Sequence, residues 1–175
     1  MADAHPRHVV FMGVSGSGKT TLARLVSERL GWPIAEADDF HPAANIDKMR
    51  SGIALTDEDR WPWLRAIRDW MAQQSEAGRS TVVACSALRR VYRDVLREAG
   101  DSVSFVLLEG DFDTLEARLL ARKGHFMGAT LLNSQLDTLE ALDDDEDGVT
   151  LDADETPERL VAETMSALGL SGTRA

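Results

Sequence analysis

The chain has 175 residues, 43% of them hydrophobic and 28% charged, which is an ordinary globular composition and enough length for one domain with its own continuous core. A formal net charge of −11 speaks against nucleic acid or an anionic membrane as the main partner, since both would be repelled at long range; a phosphorylated small molecule in a local positive pocket stays open. The one cysteine, Cys85, cannot form an internal disulfide, no apolar run reaches membrane-span length, and the opening MADAHPRH has no apolar signal core, so a cytoplasmic protein is expected.

In chain order, residues 1–6 are expected to be a flexible lead-in, residues 7–170 a single domain, and residues 171–175 a flexible tail. Short β-branched runs predict strands over His8–Val14, Pro33–Asp38, Thr81–Ser86, Val103–Glu109 and Gly148–Asp152. Between them the apolar residues recur near every 3.6 positions: Trp61, Leu64, Ile67 and Met71 share a face, as do Phe112, Leu115 and Leu119, then Leu160, Val161, Met165 and Leu168. Strands separated by crossover helices imply a parallel sheet covered on both faces, hence a three-layer α/β fold. No repeat and no linker divides the chain. The acidic run LDDDEDG, Leu142–Gly148, is expected to be a solvated loop before the last strand.

The first strand runs into GVSGSGKTT. Gly13, Gly18, Lys19 and Thr20 satisfy G-x-x-x-x-G-K-[ST], with an apolar strand before and a helix after. Glycines let the backbone N–H groups of Gly13, Val14, Ser15, Gly16, Ser17 and Gly18 curl around phosphate oxygens, and the helix opening at Lys19, Thr20 and Thr21 adds its free N–H groups and positive dipole end. Lys19 can reach the β- and γ-phosphates, and the Thr20 hydroxyl can ligate Mg²⁺. The alternative, a flexible turn that happens to precede a lysine, ignores the strand and helix in register with it. The stretch therefore predicts nucleoside triphosphate binding. A GTPase would need a guanine-reading N-K-x-D after a later strand, and NIDK at Asn45–Lys48 has neither that order nor that place. A motor or transporter ATPase would carry an apolar strand ending in a metal-binding aspartate, where this chain has VVACSAL. Small phosphotransferases are left.

In these the acceptor is held near the end of the second strand, here EADDFHP, Glu36–Pro42. Ligands of parallel α/β sheets lie beyond the carboxyl ends of the strands, so these carboxylates should face the phosphate loop. Glu36 and Asp38, two apart on a strand, would point to one side, one to bind a hydroxyl and take its proton, the other to hold a metal-bound water. Capping of the following turn is the alternative role for Asp38 and the preferred one for Asp39.

The blocks DDFHPAANIDKMRSGIALTDEDRWPWL, CSALRRVYRDVLR, LEGDFDTLEARLLARKGHFM and LLNSQLDTLE together resemble the gluconokinase family of P-loop small-molecule kinases, over Val9 to Leu168. The ordered patterns H-P-x-x-N-x-x-K-M, D-R-x-P-W-L, C-S-A-L and R-K-G-H-F are far more specific than the phosphate loop alone. One departure is visible: relatives tend to carry proline after the S-Q…L-E block, where this chain has Ala141 and a longer acidic run. The resemblance implies a nucleoside- and shikimate-kinase-like P-loop kinase fold with a five-stranded parallel sheet and a mobile lid over about residues 123–135. It also implies MgATP-dependent phosphorylation of D-gluconate at its 6-hydroxyl. The implied product is 6-phosphogluconate, which would feed the pentose phosphate pathway. Relatives of this size are commonly homodimers.

Gluconate is a polyol with a carboxylate, so its pocket needs hydroxyl acceptors and at least one cation. Asp38 and His41 are candidates for the first, with Asp38 the catalytic carboxylate beside Lys19; Lys48, Arg60, Arg89, Arg90 and Arg93 are candidates for the second. Arg60 is favoured because TDEDRWPWL breaks a helical pattern with an arginine beside two tryptophans; a surface arginine paired with Asp57 or Glu58 is the alternative. His41 could instead fix the backbone before Pro42, and Ser86 could touch substrate or cap the helix starting near Leu88. Arg118 and Arg122, four apart, share a helical face. The resemblance implies that Arg118 packs on adenine and that Arg122 closes over the transferring phosphate, with Lys123 and His125 in the lid; a solvated arginine stripe is the alternative. Trp32, Trp61, Trp63 and Trp70 read as core or interface rather than as a sugar platform, and Cys85 as a buried strand residue. Two rival functions are a shikimate-type kinase, which would not be expected to carry H-P-x-x-N-x-x-K-M, and a nucleotide-dependent regulator without turnover.

Overall fold

Five strands form the centre of the molecule: β1 (His8–Met12), β2 (Ile34–Glu36), β3 (Thr81–Ala84), β4 (Val103–Glu109) and β5 (Gly148–Asp152); β1, β3 and β4 are buried along almost their whole length, while β2 and β5 are partly exposed. They make one parallel sheet in the order β2-β3-β1-β4-β5. The computed structural model describes residues 5–100, 102–121 and 128–170. Helices α1 (Lys19–Leu30), α2 (Ala43–Arg50), α3 (Asp57–Glu76), α4 (Arg90–Arg97), α5 (Phe112–Ala121), α6 (Gly128–Thr138) and α7 (Pro157–Ala167) connect the strands.

Alternation along each strand sends side chains to two cores. Val9, Phe11, Val106 and Leu108 meet Leu22, Ala23, Val26 and Leu30 of α1 and Leu160 and Val161 of α7 on one face. Val10, Met12, Phe105 and Leu107 meet Trp63, Leu64, Ile67 and Met71 of α3 and Tyr92 and Leu96 of α4 on the other. A third cluster of Val14, Leu88, Leu115, Leu119 and Leu132 holds α5 and α6 against the phosphate loop. The expected three-layer α/β architecture with five parallel strands is therefore the one observed.

Two local expectations change. The second strand stops at Glu36, and Ala37–Phe40 turn into a short 3-10 helix, so the two-residue strand period does not govern Asp38 and Asp39. TDEDRWPWL does not interrupt a helix but begins one. Thr56 caps α3 by accepting from Asp59 N–H, the Asp59 carboxylate accepts from Thr56 N–H, and three acidic residues in the first turn complement the dipole. Trp63 rather than Trp61 is the fully buried tryptophan of this helix, while Trp32, Trp61 and Trp70 border the two cores. Among the described residues no helix is long and apolar enough to cross a membrane.

Candidate active site

The phosphate loop follows β1 at the carboxyl end of the sheet. Gly13 has φ 146°, and a Cβ there would lie 2.8 Å from Ser17 Oγ and 2.9 Å from the Leu108 carbonyl; Gly16 has φ 85°, and its Cβ would lie 2.9 Å from the Leu115 carbonyl. Glycine is required at both by backbone conformation and by close approach. Gly18, also left-handed, caps α1, so the chain enters the helix directly at Lys19, Thr20 and Thr21. Beside the loop, a pocket of ≈ 350 Å³ is lined by Gly16, Ser17, Gly18, Thr21, Arg118, Ala153, Pro157 and others. Arg118 donates to the Ala153 carbonyl at 2.8 Å and to the carbonyls of Gly16 and Ser17 at 3.4 Å, tying the phosphate loop to the turn after β5. Arg122, Lys123 and His125, together with residues 1–4 and 171–175, lie outside the described residues; α6 takes up residues 128–135 of the expected lid.

Across the cleft, the Thr20 hydroxyl donates to Glu36 Oε2 at 2.7 Å. Burial pushes the Glu36 carboxyl up, and the nearby charges of Asp38 and Asp39 add to this against the Thr20 hydrogen bond and Lys19. The charge of Asp38 also acts on His41 and Cys85. Trp63 fixes the 3-10 turn that carries Asp38 by donating its indole N–H to the Ala37 carbonyl at 2.7 Å. His41 stacks on the same indole, with centroids 4.2 Å apart and planes at 13°. Asn45 Nδ2 donates to His41 Nδ1 at 3.2 Å and to the Asp59 carbonyl at 2.9 Å. An accepting Nδ1 leaves the imidazole proton on Nε2, and burial pushes the His41 pKa down, so the ring is neutral and its Nε2–H is the donor end. Burial likewise pushes the Cys85 thiol up to about 12, which removes it as a nucleophile.

The cationic candidates separate into groups. Lys48 is held by Asp59 at 2.8 Å, and the Asp59 carboxyl is kept down at about 2 by that contact and by Thr56 N–H. Arg60 donates to Tyr92 Oη at 2.9 Å, Tyr92 Oη donates to Asp57 Oδ1 at 2.5 Å, and Arg89 donates to Asp57 Oδ2 at 2.8 Å. Both guanidiniums lie over the Tyr92 ring, at 5.3 and 5.7 Å from its centroid. The Arg60 contact with Asp57 at 3.6 Å realises the paired alternative without removing the arginine from the cleft, since Asp57, Arg60, Arg89 and Tyr92 line a pocket with Asp137–Glu140. Arg90, expected as a substrate ligand, is instead taken by Asp143 at 2.8 Å and by both carboxylate oxygens of Asp145. Arg93 is fully buried against Glu146. The acidic run is thus not wholly solvated: Glu146 is buried and also takes Arg97. Ser86 is half-buried after β3; its carbonyl accepts from Gly13 N–H at 3.3 Å, and the next residue, Ala87, is left-handed at φ 44°.

The sequence named Asp57 only as a pairing partner for Arg60 and Asn45 only within the NIDK and H-P-x-x-N-x-x-K-M patterns, and it marked neither these nor Tyr92 as site residues. Asp57 looks like ordinary first-turn acid, although Tyr92 is the one tyrosine in the chain and Asn45 stands four residues after His41. A track of polar side chains leads outward from the phosphate loop: Thr20 is hydrogen-bonded to Glu36, Asp38 and His41 follow in the turn after β2, and Arg60, Tyr92, Asp57 and Arg89 are joined by hydrogen bonds beyond them.

A family model described as an AAA domain matches residues 9–142. The gluconokinase of Gluconobacter oxydans (strain 621H) is 46% identical over 158 residues, which cover 90% of this chain and 89% of that protein. Among solved structures, an unliganded sugar kinase from Janibacter sp. HTCC2649 superposes with a TM-score of 0.90 at 53% identity, over 95% of this chain and 96% of the other. A gluconokinase from Sinorhizobium meliloti 1021 superposes with a TM-score of 0.85 at 43% identity, over 94% and 93%. With the phosphate loop, the acceptor-side track and these relatives in agreement, the chain belongs to the gluconokinase family of P-loop kinases.

Proposed function

We propose that this protein transfers the γ-phosphoryl group of ATP to the 6-hydroxyl of D-gluconate, with ADP as the second product. The observation that carries the proposal is the polar track, which begins at a phosphate-binding loop and ends at two arginines that share one aspartate. A linear polyol acid needs such a site: a carboxylate near the phosphates for its reacting hydroxyl, and a cationic end for its own carboxylate. Arg60 and Arg89 supply the cationic end, and planar guanidinium donors match a carboxylate better than an ammonium does. Substrate carboxylate would share these donors with Asp57. The neutral His41 Nε2–H and Asp38 serve the hydroxyls between.

The donor set at Thr20 and Glu36 suits a hard divalent cation, an alcohol oxygen beside a carboxylate oxygen. Thr20 would hold Mg²⁺ together with phosphate oxygens, and Glu36 would hold it through water. Held there, a divalent cation would supply positive charge against the triphosphate. The loop N–H groups and Lys19 hold the phosphates, Arg118 borders the base, and Arg122 is assigned the transferring phosphoryl group. Asp38 orients the acceptor hydroxyl and takes its proton late, since a loose transition state demands little early deprotonation.

A coupled ADP-release assay with ATP, Mg²⁺ and a panel of sugar acids tests the reading. Gluconate should be the best acceptor, and a product other than 6-phosphogluconate would overturn it. In the same assay Asp38→Asn should lower turnover by about 10²-fold, the scale of general-base assistance, with ATP affinity unchanged. Asp39→Asn should be much milder; equal losses would move the acceptor role away from Asp38.

A further inference from the structure

Among the groups around the phosphate loop, one belongs to neither the acceptor track nor the base pocket. Gln135 on α6 reaches back to the loop, and its side-chain Oε1 accepts the backbone N–H of Ser15 at 2.6 Å, across 120 residues of sequence. Its helix is anchored on the apolar side by the fully buried Leu132 and by Leu136 against Val14, Leu115 and Leu119. The carboxamide is therefore delivered to the loop by a seated helix.

Ser15 marks one end of the phosphate cradle. The pocket beside Arg118, which the proposed function gives to the base, is lined by Gly16, Ser17, Gly18 and Thr21 but not by Ser15. A triphosphate running from that pocket along the loop toward Asp38 places its last phosphate at the Ser15 end, and its first two over Gly18–Thr20, at the start of α1. The Ser15 N–H is thus a donor for the terminal phosphate, and Gln135 occupies it with an acceptor. An anion offers only acceptors, so Oε1 and a phosphate oxygen cannot share this N–H. A carboxamide carries two donors on its other atom; its side-chain torsions let the amide draw back from Ser15 and turn over, so that a phosphate oxygen takes the Ser15 N–H and Nε2–H₂ reaches the same phosphate while the anchored helix stays in place.

We propose that Gln135 is a ligand of the γ-phosphate: it holds the Ser15 N–H in the free enzyme and turns its Nε2–H₂ onto the terminal phosphate when ATP enters. The residue then senses the group that ATP has and ADP lacks. Before transfer it helps fix the phosphoryl group in line with the acceptor; after transfer it returns to Ser15 as the phosphate leaves with the product. This role rests on the ATP-dependent kinase reading above.

The test compares affinities for the β,γ-imido analogue of ATP and for ADP, by calorimetric titration with Mg²⁺, in wild type, Gln135→Glu and Gln135→Ala. Gln135→Glu keeps the shape and the acceptor for Ser15 but replaces the donor by a second negative charge. It should bind the ATP analogue at least about tenfold more weakly, the scale of a charge-assisted hydrogen bond, with ADP affinity changed by less than about threefold and kcat reduced at least about tenfold. Gln135→Ala removes both roles: the analogue should bind about three- to tenfold more weakly, and ADP as well as or better than in wild type, because the loop N–H is no longer occupied. Equal weakening of both nucleotides in either variant would make Gln135 a loop buttress and overturn the proposal, as would unchanged analogue affinity in Gln135→Glu. Failure of wild type to phosphorylate gluconate would instead strike at the kinase reading, so the two failures are separable.

Discussion

Arg89 and Arg90 are neighbours in sequence and end in opposite electrostatic situations. Arg89, the residue before α4, turns toward the cleft, where it shares Asp57 with Arg60 and lies over Tyr92. Arg90 turns outward to Asp143 and Asp145, and with Arg93 and Arg97 at three- and four-residue steps it forms a stripe down α4 that the acidic run closes over. In the first neighbourhood both guanidiniums are, among the described residues, ion-paired with Asp57 alone, in a pocket that Asp137 and Glu140 also line, and they keep donors for another anion. In the second, three arginines meet Asp143, Asp145 and the buried Glu146, so no cationic capacity remains for substrate. An arginine's surroundings, more than its presence near the cleft, decide whether it can recognise a ligand.

The largest expected effect is on the closed neighbourhood. Glu146→Gln leaves the Arg93 guanidinium buried without a countercharge, which should cost about 3–5 kcal/mol of stability, read by urea denaturation, while the protein that stays folded keeps its KM for gluconate. A large KM change would mean that the acidic run shapes the cleft after all.

Acid should remove the same contribution without mutation. Burial pushes the Glu146 carboxyl up, but Arg93, the Asp143 N–H and Arg97 outweigh it and hold the group at about 2, against an ordinary 4.5. With the folded value depressed, the stabilisation is full above about pH 4.5 and is lost as pH falls toward about 2. The stability difference between wild type and Glu146→Gln should shrink over that window and stay flat from pH 5 to 8. A constant difference down to pH 2.5 would show that the pair contributes nothing through its charge.

The open neighbourhood should answer in kinetics. Arg60→Ala and Arg89→Ala should each lower kcat/KM for gluconate by about 10- to 100-fold, from the loss of one charged hydrogen bond to a carboxylate, mostly through KM and with KM for ATP unchanged. A variant that loses kcat alone would place that arginine on the reaction rather than on the carboxylate. The smallest effect belongs to Arg90→Ala. It removes exposed ion pairs with Asp143 and Asp145, which water and salt already screen, so the urea midpoint should move only slightly and gluconate kinetics should stay within about threefold. A larger loss would return Arg90 to the substrate.

These fates also show what could be read from the chain. The phosphate loop was legible because its chemistry is local: strand, glycines, lysine and helix are consecutive, and the backbone itself is the ligand. The five strands were placed for the same kind of reason, with β4 and β5 at their expected limits. The difference between Arg89 and Arg90 was not legible, because each residue turns a helix by about 100° and an expected start near Leu88 instead of Arg90 points every arginine of α4 elsewhere. Asp38 was expected on the basis of a strand that ends two residues earlier. The partners of the acidic run lie about 50 residues upstream, and Gln135 acts across 120 residues; neither contact leaves a mark in local composition.

The clasp between α4 and the acidic run bears on how the molecule guards against misassembly. β5 pairs on one side only, with β4, and Leu151 is its one fully buried residue, so its own apolar pattern specifies its alignment weakly. Immediately before it, Glu146 is locked to Arg93, Asp147 Oδ2 accepts from the Ser104 hydroxyl at 2.7 Å, and the Asp147 carbonyl accepts from Phe105 N–H. A slip of one residue along β4 would pull Glu146 from its buried partners and turn Leu151 outward. The ionic latch thus supplies an alignment check that the strand's sequence lacks, and it keeps a short, exposed edge strand from presenting a frayed end to other chains.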